Sequence, residues 1–302
     1  MSDLPVEVSE LSRRFGNTQA LDKVNFRAEK GKVYGLVGAN GAGKSTLIKH
    51  IMGLLRAKSG SVQVFGQNPV HHPESVLSRM GYLSENRDIP DWMTIEELMR
   101  YTQAYHQNWD VAYAEELLAT FDLDQSKKIR DLSRGMRAQV ALVNAVAHRP
   151  ELLILDEPSS GLDAVVRMDI LNTVVRTISD EGRTVIFSSH LLEEVERMSD
   201  HVTMIHQGKV VLDGPLESLG SAHHFCNVRF EDSLDSKPLL ANALATRGEG
   251  RSWTIVHTGT AENFSAGIKQ LNGKIVESRN ATLEEIFIAR VGRGISSDEV
   301  IK

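Results

Sequence analysis

Three short apolar runs frame the chain. Val33-Tyr34-Gly35-Leu36-Val37 ends in a glycine-rich turn, and residues 45–52 beyond it carry Leu47, Ile48, Ile51 and Met52 at helical spacing. Leu152-Leu153-Ile154-Leu155 stops at Asp156-Glu157-Pro158, and Thr184-Val185-Ile186-Phe187 stops at Ser188-Ser189-His190. Unbroken apolar strands need cover on both faces. The pattern therefore predicts an α/β core, a parallel sheet flanked by helices that presents polar residues at the C-terminal ends of its strands.

From about residue 85 to 149 the period changes to that of helices. Thr94-x-x-Glu97 forms a capping box and predicts a helix with Ile95, Leu98, Met99 and Tyr105 on one side, and Asp110 precedes another carrying Leu117, Leu118 and Phe121. A helical insertion thus interrupts the sheet. After about residue 219 the strand-to-helix order is lost: residues 225–230 and 252–256 predict strands, Phe264, Ile268 and Leu271 share a predicted helix face, and Thr282-x-x-Glu285 caps a last helix with Ile286 and Phe287. These readings divide the chain into residues 1–219, with a helical subdomain at about 85–149, and a small α+β appendage over 220–302.

With 302 residues, 41% of them hydrophobic and 25% charged, the chain has the makeup of a globular protein with a substantial core. A net charge of −6 gives no basic surface for DNA or RNA, so nucleic acid is not an expected partner. The single cysteine, Cys226, excludes an intrachain disulfide and a CxxC metal knuckle and reads as a small buried thiol in a reducing compartment. The N-terminal stretch MSDLPVEVSELSRRF has no apolar centre, which predicts no secretory signal. The longest apolar runs, at residues 140–147 and 152–155, fall far short of the roughly 18–20 residues that cross a bilayer, so the chain is expected not to span a membrane.

The chemistry lies first in Gly38-Ala39-Asn40-Gly41-Ala42-Gly43-Lys44-Ser45-Thr46, which follows a predicted strand and opens a predicted helix, the context a phosphate loop requires. Glycines let successive backbone N–H groups turn inward as an anion nest, the helix N-terminus adds its positive end, and Lys44 can reach β- and γ-phosphates. Ser45 would place its hydroxyl on a magnesium ion. Asp156, ending an apolar strand, can hold the magnesium shell, and Glu157 beside it can polarise water for attack on the γ-phosphate. Together these predict binding and hydrolysis of a nucleoside triphosphate with Mg2+.

Leu132-Ser133-Arg134-Gly135-Met136, about twenty residues before the Asp156 strand, resembles the LSGGQ signature of the ATP-binding cassette family. The resemblance covers about residues 5–220. It implies a P-loop NTPase core with an inserted helical subdomain, ATP as the nucleotide, and a signature helix over about 136–148 whose Ser133 and Gly135 meet the γ-phosphate held by the other subunit of a dimer. Phe15 resembles the aromatic that stacks on adenine. Ser160-Gly161-Leu162-Asp163 resembles the family's D-loop, and His190 its switch histidine.

Two positions depart from the family pattern. Gly81-Tyr82-Leu83-Ser84-Glu85 carries a glutamate where the family has a glutamine, so Glu85 would approach the magnesium and the attacking water with a group that accepts but does not donate. In the signature, Arg134 replaces a glycine and Met136 the glutamine; the sequence leaves Arg134 either adding a cation near the shared nucleotide or pointing to solvent.

The run LSRGMRAQVAL, Glu85, and the tail Thr282-Leu283-Glu284-Glu285-Ile286-Phe287 are similar to the ATPase subunits of type-2 drug exporters. The resemblance then implies a subunit at the cytoplasmic face of the cell membrane that drives a transmembrane permease on a separate chain, paired with a second cassette, most simply a copy of itself. A soluble, non-transport cassette ATPase and a nucleotide sensor without turnover are the competing readings. Glu157 and His190 speak against the sensor. The short interval from Leu47 to Asp131 and the single phosphate loop speak against soluble relatives with a long coiled coil or with two cassettes in one chain.

Overall fold

A computed structural model describes residues 4–179 and 182–292. The outer ends of the two predicted segments, residues 1–3 and 293–302, lie outside the described residues. Among those described, the chain divides into two compact units: residues up to His190 together with Ile205–Val210, and Leu191–Met204 together with the residues from Val211 onward. The second unit therefore begins earlier in the chain than the division at 219/220 read from the pattern.

The first unit opens with an antiparallel sheet that the pattern did not predict. Strands β1 (Val6–Phe15) and β2 (Thr18–Ala28) pair with each other, and β1 pairs also with the later strand at Ser59–Val64. Its apolar positions Val6, Val8, Leu11, Leu21, Val24 and Phe26 are all buried. β1 slips register between Val8 and Leu11 and twice more before Arg14, which breaks the two-residue alternation by which a half-buried strand is recognised.

The parallel core is as predicted. β3 (Val33–Val37) leads into helix α1 (Lys44–Ile51); β4 (Ser59–Val64) is the third antiparallel strand; α2 (Pro73–Leu77) precedes β5 (Met80–Leu83). After the helical insertion come β6 (Leu152–Asp156), α6 (Ala164–Ser179) and β7 (Thr184–Ser189). β5, β6, β7 and β3 pair in parallel in that order, and β8 (His201–His206) and β9 (Lys209–Pro215), which belong to this unit over Ile205–Val210, follow them in the sheet. Every residue of β3, β6 and β7 is buried. Register sets Asp156 opposite Ser188 and Val37 opposite Ser189, so the residues that follow the strands emerge along one edge.

The insertion holds α3 (Ile95–Gln103), α4 (Val111–Thr120) and α5 (Arg134–Val146). The Thr94–Glu97 capping box forms with both reciprocal hydrogen bonds, at 3.1 and 2.9 Å. Asp110 caps α4 through the Tyr113 N–H, and this bond, aided by Arg149, holds its carboxyl below the usual carboxylate range. Tyr105 corrects the predicted helix face. α3 ends at Gln103, and Tyr105 sits in the following turn, exposed beside Tyr101, because the chain turns before the next helical repeat is complete.

The second unit contains α7 (Leu192–Met198), α8 (Leu216–Ala222), β10 (His223–Leu234), β11 (Ala243–Thr258), α9 (Ala261–Gln270), β12 (Gly273–Asn280) and α10 (Leu283–Val291). Its antiparallel sheet runs β11-β10-β12, and Phe264 and Ile268 of α9 pack on Cys226, Val228, Phe230, Trp253 and Ile255. Leu271 does not join that face: it is the residue that ends α9 and is 40% exposed. α7 belongs to this unit through Glu196, whose carboxylate accepts from the Leu283 N–H at 2.6 Å at the start of α10.

Two stacked histidines in the first unit give it a pH dependence. His148, just beyond α5, directs Nε2 to the Met80 carbonyl at 2.9 Å, and its ring lies 3.9 Å from that of His106. Burial, with repulsion from His106 and Arg183, drives the His148 pKa down to about 4 from 6.5. Because the folded state holds this histidine neutral, its contribution is complete above about pH 6.5 and is lost as the pH falls toward about 4. Urea unfolding at pH 7 and pH 5 should show the wild type losing about 2 kcal/mol more than His148→Gln over that interval, the amide replacing the donor to Met80 without titrating. Equal losses in the two proteins would exclude His148 as the origin.

Candidate functional site

The loop over residues 38–46 turns from the end of β3 into α1, and backbone space dictates its glycines. Gly43 precedes α1 at φ 119°, and a Cβ there would stand 2.5 Å from the Ala20 carbonyl oxygen. At Gly38 a Cβ would stand 2.3 Å from the carbonyl oxygen of Ile205. α1 has no side-chain cap and no acidic residue in its first turn, so its first N–H groups are left for a ligand or solvent and its positive end is not neutralised locally. Ala39, Asn40, Gly41, Ala42, Gly43, Lys44, Ser45 and Thr46, together with Glu85 and Glu157, line a cavity of about 310 Å3.

A chain of charges leads from this cavity. The Lys44 ammonium is 5% exposed; it donates to the Gly38 carbonyl at 2.6 Å and lies 3.0 Å from Glu157 Oε1. The other carboxylate oxygen of Glu157 is 2.7 Å from His190 Nδ1. Glu157 itself sits in the left-handed region, at φ 50°, where a non-glycine residue is strained. Its N–H donates to the hydroxyl of Ser188 at 3.0 Å, and that hydroxyl donates to Asp156 Oδ1 at 2.6 Å. Ser188 thus fixes both acids, a role the sequence reading missed. The available signal was its place at the end of an apolar strand adjoining the Asp156 strand.

Glu85 reaches the cavity rim from the turn after β5. One residue before β5 ends, at Tyr82, burial pushes the phenol up to about 12, with Asp156, Asp88 and Glu85 adding negative charge, so it stays neutral and donates only as a hydroxyl.

The remaining predicted residues lie elsewhere. Phe15 ends β1, 45% exposed, with the Arg13 guanidinium 4.6 Å over its ring. Ser133 caps α5, its hydroxyl accepting from the Met136 N–H at 3.1 Å, and Gly135 sits in the first turn, where a Cβ would stand 2.9 Å from Val166. The predicted helix over 136–148 thus begins two residues earlier, at Arg134. Asp163 accepts from the N–H groups of Val165 and Val166, both at 3.0 Å, and so starts α6. None of Phe15, Ser133, Gly135 or Asp163 lines the loop cavity of its own chain. Arg134 is exposed, and its guanidinium donates to the Ser160 carbonyl at 3.2 Å and lies over Gly161.

The family profile described as "ABC transporter" matches residues 21–160. The ABC transporter ATP-binding protein YtrB of Bacillus subtilis (strain 168) is 29% identical over 95% of this chain and 98% of its own length. The ABC transporter ATP-binding protein NatA of the same organism is 34% identical over 71% of this chain and 91% of its own. A solved structure of an ATP-binding subunit of an ABC transporter superposes with a TM-score of 0.66 at 31% identity, covering 72% of this chain and 92% of that one. With its phosphate loop, its buried Asp156-Glu157 pair and relatives of this kind along nearly its full length, the chain belongs to the ABC transporter family, as an ATP-binding subunit built on that family's ATPase cassette.

Proposed function

We propose that the chain binds ATP on the 38–46 loop, hydrolyses it with Glu157 as the base, and so energises a transmembrane permease carried on a separate chain at the cytoplasmic face of the cell membrane. The observation that carries the catalytic part is the convergence of Lys44 and His190 on the buried carboxylate of Glu157. A phosphate in the loop meets backbone N–H groups, the N-terminus of α1 and the Lys44 ammonium. Glu157 accepts a proton from water, and His190, bonded to its second oxygen, orients the carboxylate and neighbours the γ-phosphate.

The oxygen donors fit magnesium. Asp156 is buried with one oxygen engaged by Ser188, and among the described residues no three His, Cys, Asp or Glu side chains form a self-sufficient metal site. A small set of hard donors completed by phosphate and water is what this ion takes. Ser45, Asp156 and Glu85 would hold it, and when bound it supplies neutralisation of phosphate charge.

Ser133 and Gly135 serve the nucleotide held by a second copy of the chain, Asp163 contributes to nucleotide binding from the D-loop, and Phe15 stacks on adenine. Ser133 and Gly135 at the N-terminus of α5, where an anion is favoured, support this reading. Residues 1–219 act as the ATPase domain, with 85–149 as its helical part, and 220–302 as an accessory domain for pairing or regulation. Export is the direction supported by Glu85, the run from Leu132 to Leu142 and the tail at 282–287.

Glu157→Gln should retain ATP binding while hydrolysis falls at least about 100-fold, measured by phosphate release at saturating ATP. A rate within about tenfold of wild type would remove Glu157 from the role of base.

The shared site is tested by thiol crosslinking. With Ser133→Cys on one copy and Asn40→Cys on the other in the Glu157→Gln background, crosslinks should form between chains and depend on ATP. Crosslinking confined to a chain carrying both cysteines would exclude sharing.

A further inference from the structure

Two guanidinium groups meet at one backbone oxygen outside the cavity. Arg87, in the turn two residues beyond Glu85, is 4% exposed and donates to the Ser160 carbonyl at 2.8 Å and to the Pro158 carbonyl at 3.4 Å. Arg134, in the first turn of α5, donates to the same Ser160 carbonyl at 3.2 Å. Arg137, one turn further along α5, donates to the carbonyls of Arg87 and Ile89 at 3.3 and 3.0 Å, tying the Arg87 turn to the same helix.

No carboxylate among the described residues pairs with Arg87. Burial and the neighbouring Arg134 cation pull its pKa below the usual guanidinium range. A buried cation whose hydrogen bonds go only to carbonyls, with Nε left unpaired, is costly, and Arg87 is itself at φ 54°. Such an arrangement persists where the oxygens it holds have to stay in place.

Those oxygens belong to the turn that follows Glu157. The Ser160 N–H donates back to the Glu157 carbonyl at 3.1 Å, closing a turn over residues 157–160 whose first residue has the left-handed backbone. A strained residue keeps its conformation when its surroundings over-determine it. Ser188 does so from the N-terminal side of Glu157, and the two guanidinium groups do so from the C-terminal side.

We propose that Arg87 and Arg134 are positioning residues for ATP hydrolysis: by gripping the Ser160 carbonyl together, they hold the turn that aims the Glu157 carboxylate. Arg134 is thereby given a task inside its own chain, at the position where the signature pattern has a glycine. The inference rests on the reading of Glu157 as the base.

The test uses the full chain with Arg134→Gly, Arg87→Met, Arg87→Lys and the Arg87→Met/Arg134→Gly pair. Each is measured for kcat, KM for ATP, the Kd of a non-hydrolysed ATP analogue and thermal midpoint. Loosening an aimed group costs about 10- to 100-fold. Arg134→Gly should therefore lower kcat roughly tenfold and Arg87→Met roughly 100-fold, with analogue Kd within about twofold of wild type. Arg87→Lys should recover part of the loss by keeping one donor, and the pair should lose less than the product of the single effects because both act on one oxygen. An unchanged kcat in Arg134→Gly, or losses of kcat matched by equal losses of analogue affinity, would overturn the proposal. Should Arg87→Met fail to fold, Arg134→Gly decides alone, since that side chain is exposed. Glu157→Gln is run beside them. Wild-type turnover there would refute the base assignment and the positioning with it, whereas an inactive Glu157→Gln beside a fully active Arg134→Gly would refute the positioning alone.

Discussion

A carboxylate that is 5% exposed has to be compensated where it stands, and the first unit is organised around that requirement at Glu157. The compensation comes from two sequence-distant segments: the start of α1, which supplies Lys44, and the end of β7, which brings His190 to the carboxylate and the Ser188 hydroxyl to the Glu157 N–H. They meet because β6 lies beside β7 and β7 beside β3, so the ends of three parallel strands deliver their next residues to one edge. Removing one member of a buried ion pair costs about 3–5 kcal/mol, which makes the loop, the acid and the histidine a single structural decision. The same pairing bears on binding: a phosphate that takes the Lys44 ammonium draws on the cation that Glu157 otherwise shares, so nucleotide occupancy and the freedom of the carboxylate are linked.

Much of this was legible in the chain. Strands β3, β6 and β7 are buried along their whole length, so an uninterrupted apolar run announces each of them, and the polar residues that end the runs are the ones that build the site. The capping boxes at Thr94 and Thr282 were equally plain, since both the acceptor and the reciprocal donor partner are local in sequence. The antiparallel sheet of β1, β2 and β4 was not, because bulges shift its buried positions from Val8 to Leu11 and remove the alternation. Tyr105 and Leu271 were misplaced for a related reason: periodicity reports which residues would share a face, not where the helix stops.

Among the site residues, what the pattern missed depends on tertiary register. Ser188 acquires its role only when β7 is laid against Asp156, and Arg134 only when the first turn of α5 meets the turn after β6. Charge type alone favours no such partner. A backbone carbonyl is anonymous in sequence, yet in this chain Pro158 and Ser160 present the oxygens on which two arginines converge.

The chain's single thiol lies in the other unit, enclosed by Val228, Trp253, Phe264 and their neighbours, within reach of Ser278 and His257. Cys226 is 1% exposed, and burial raises the pKa of its thiol, so little of it is thiolate at neutral pH. Thiolate is the form that maleimides, spin labels and disulfide reagents attack. The natural chain is therefore chemically quiet toward them while folded, and a fluorophore or spin label carried by one introduced surface cysteine would report from that position without a competing signal from Cys226.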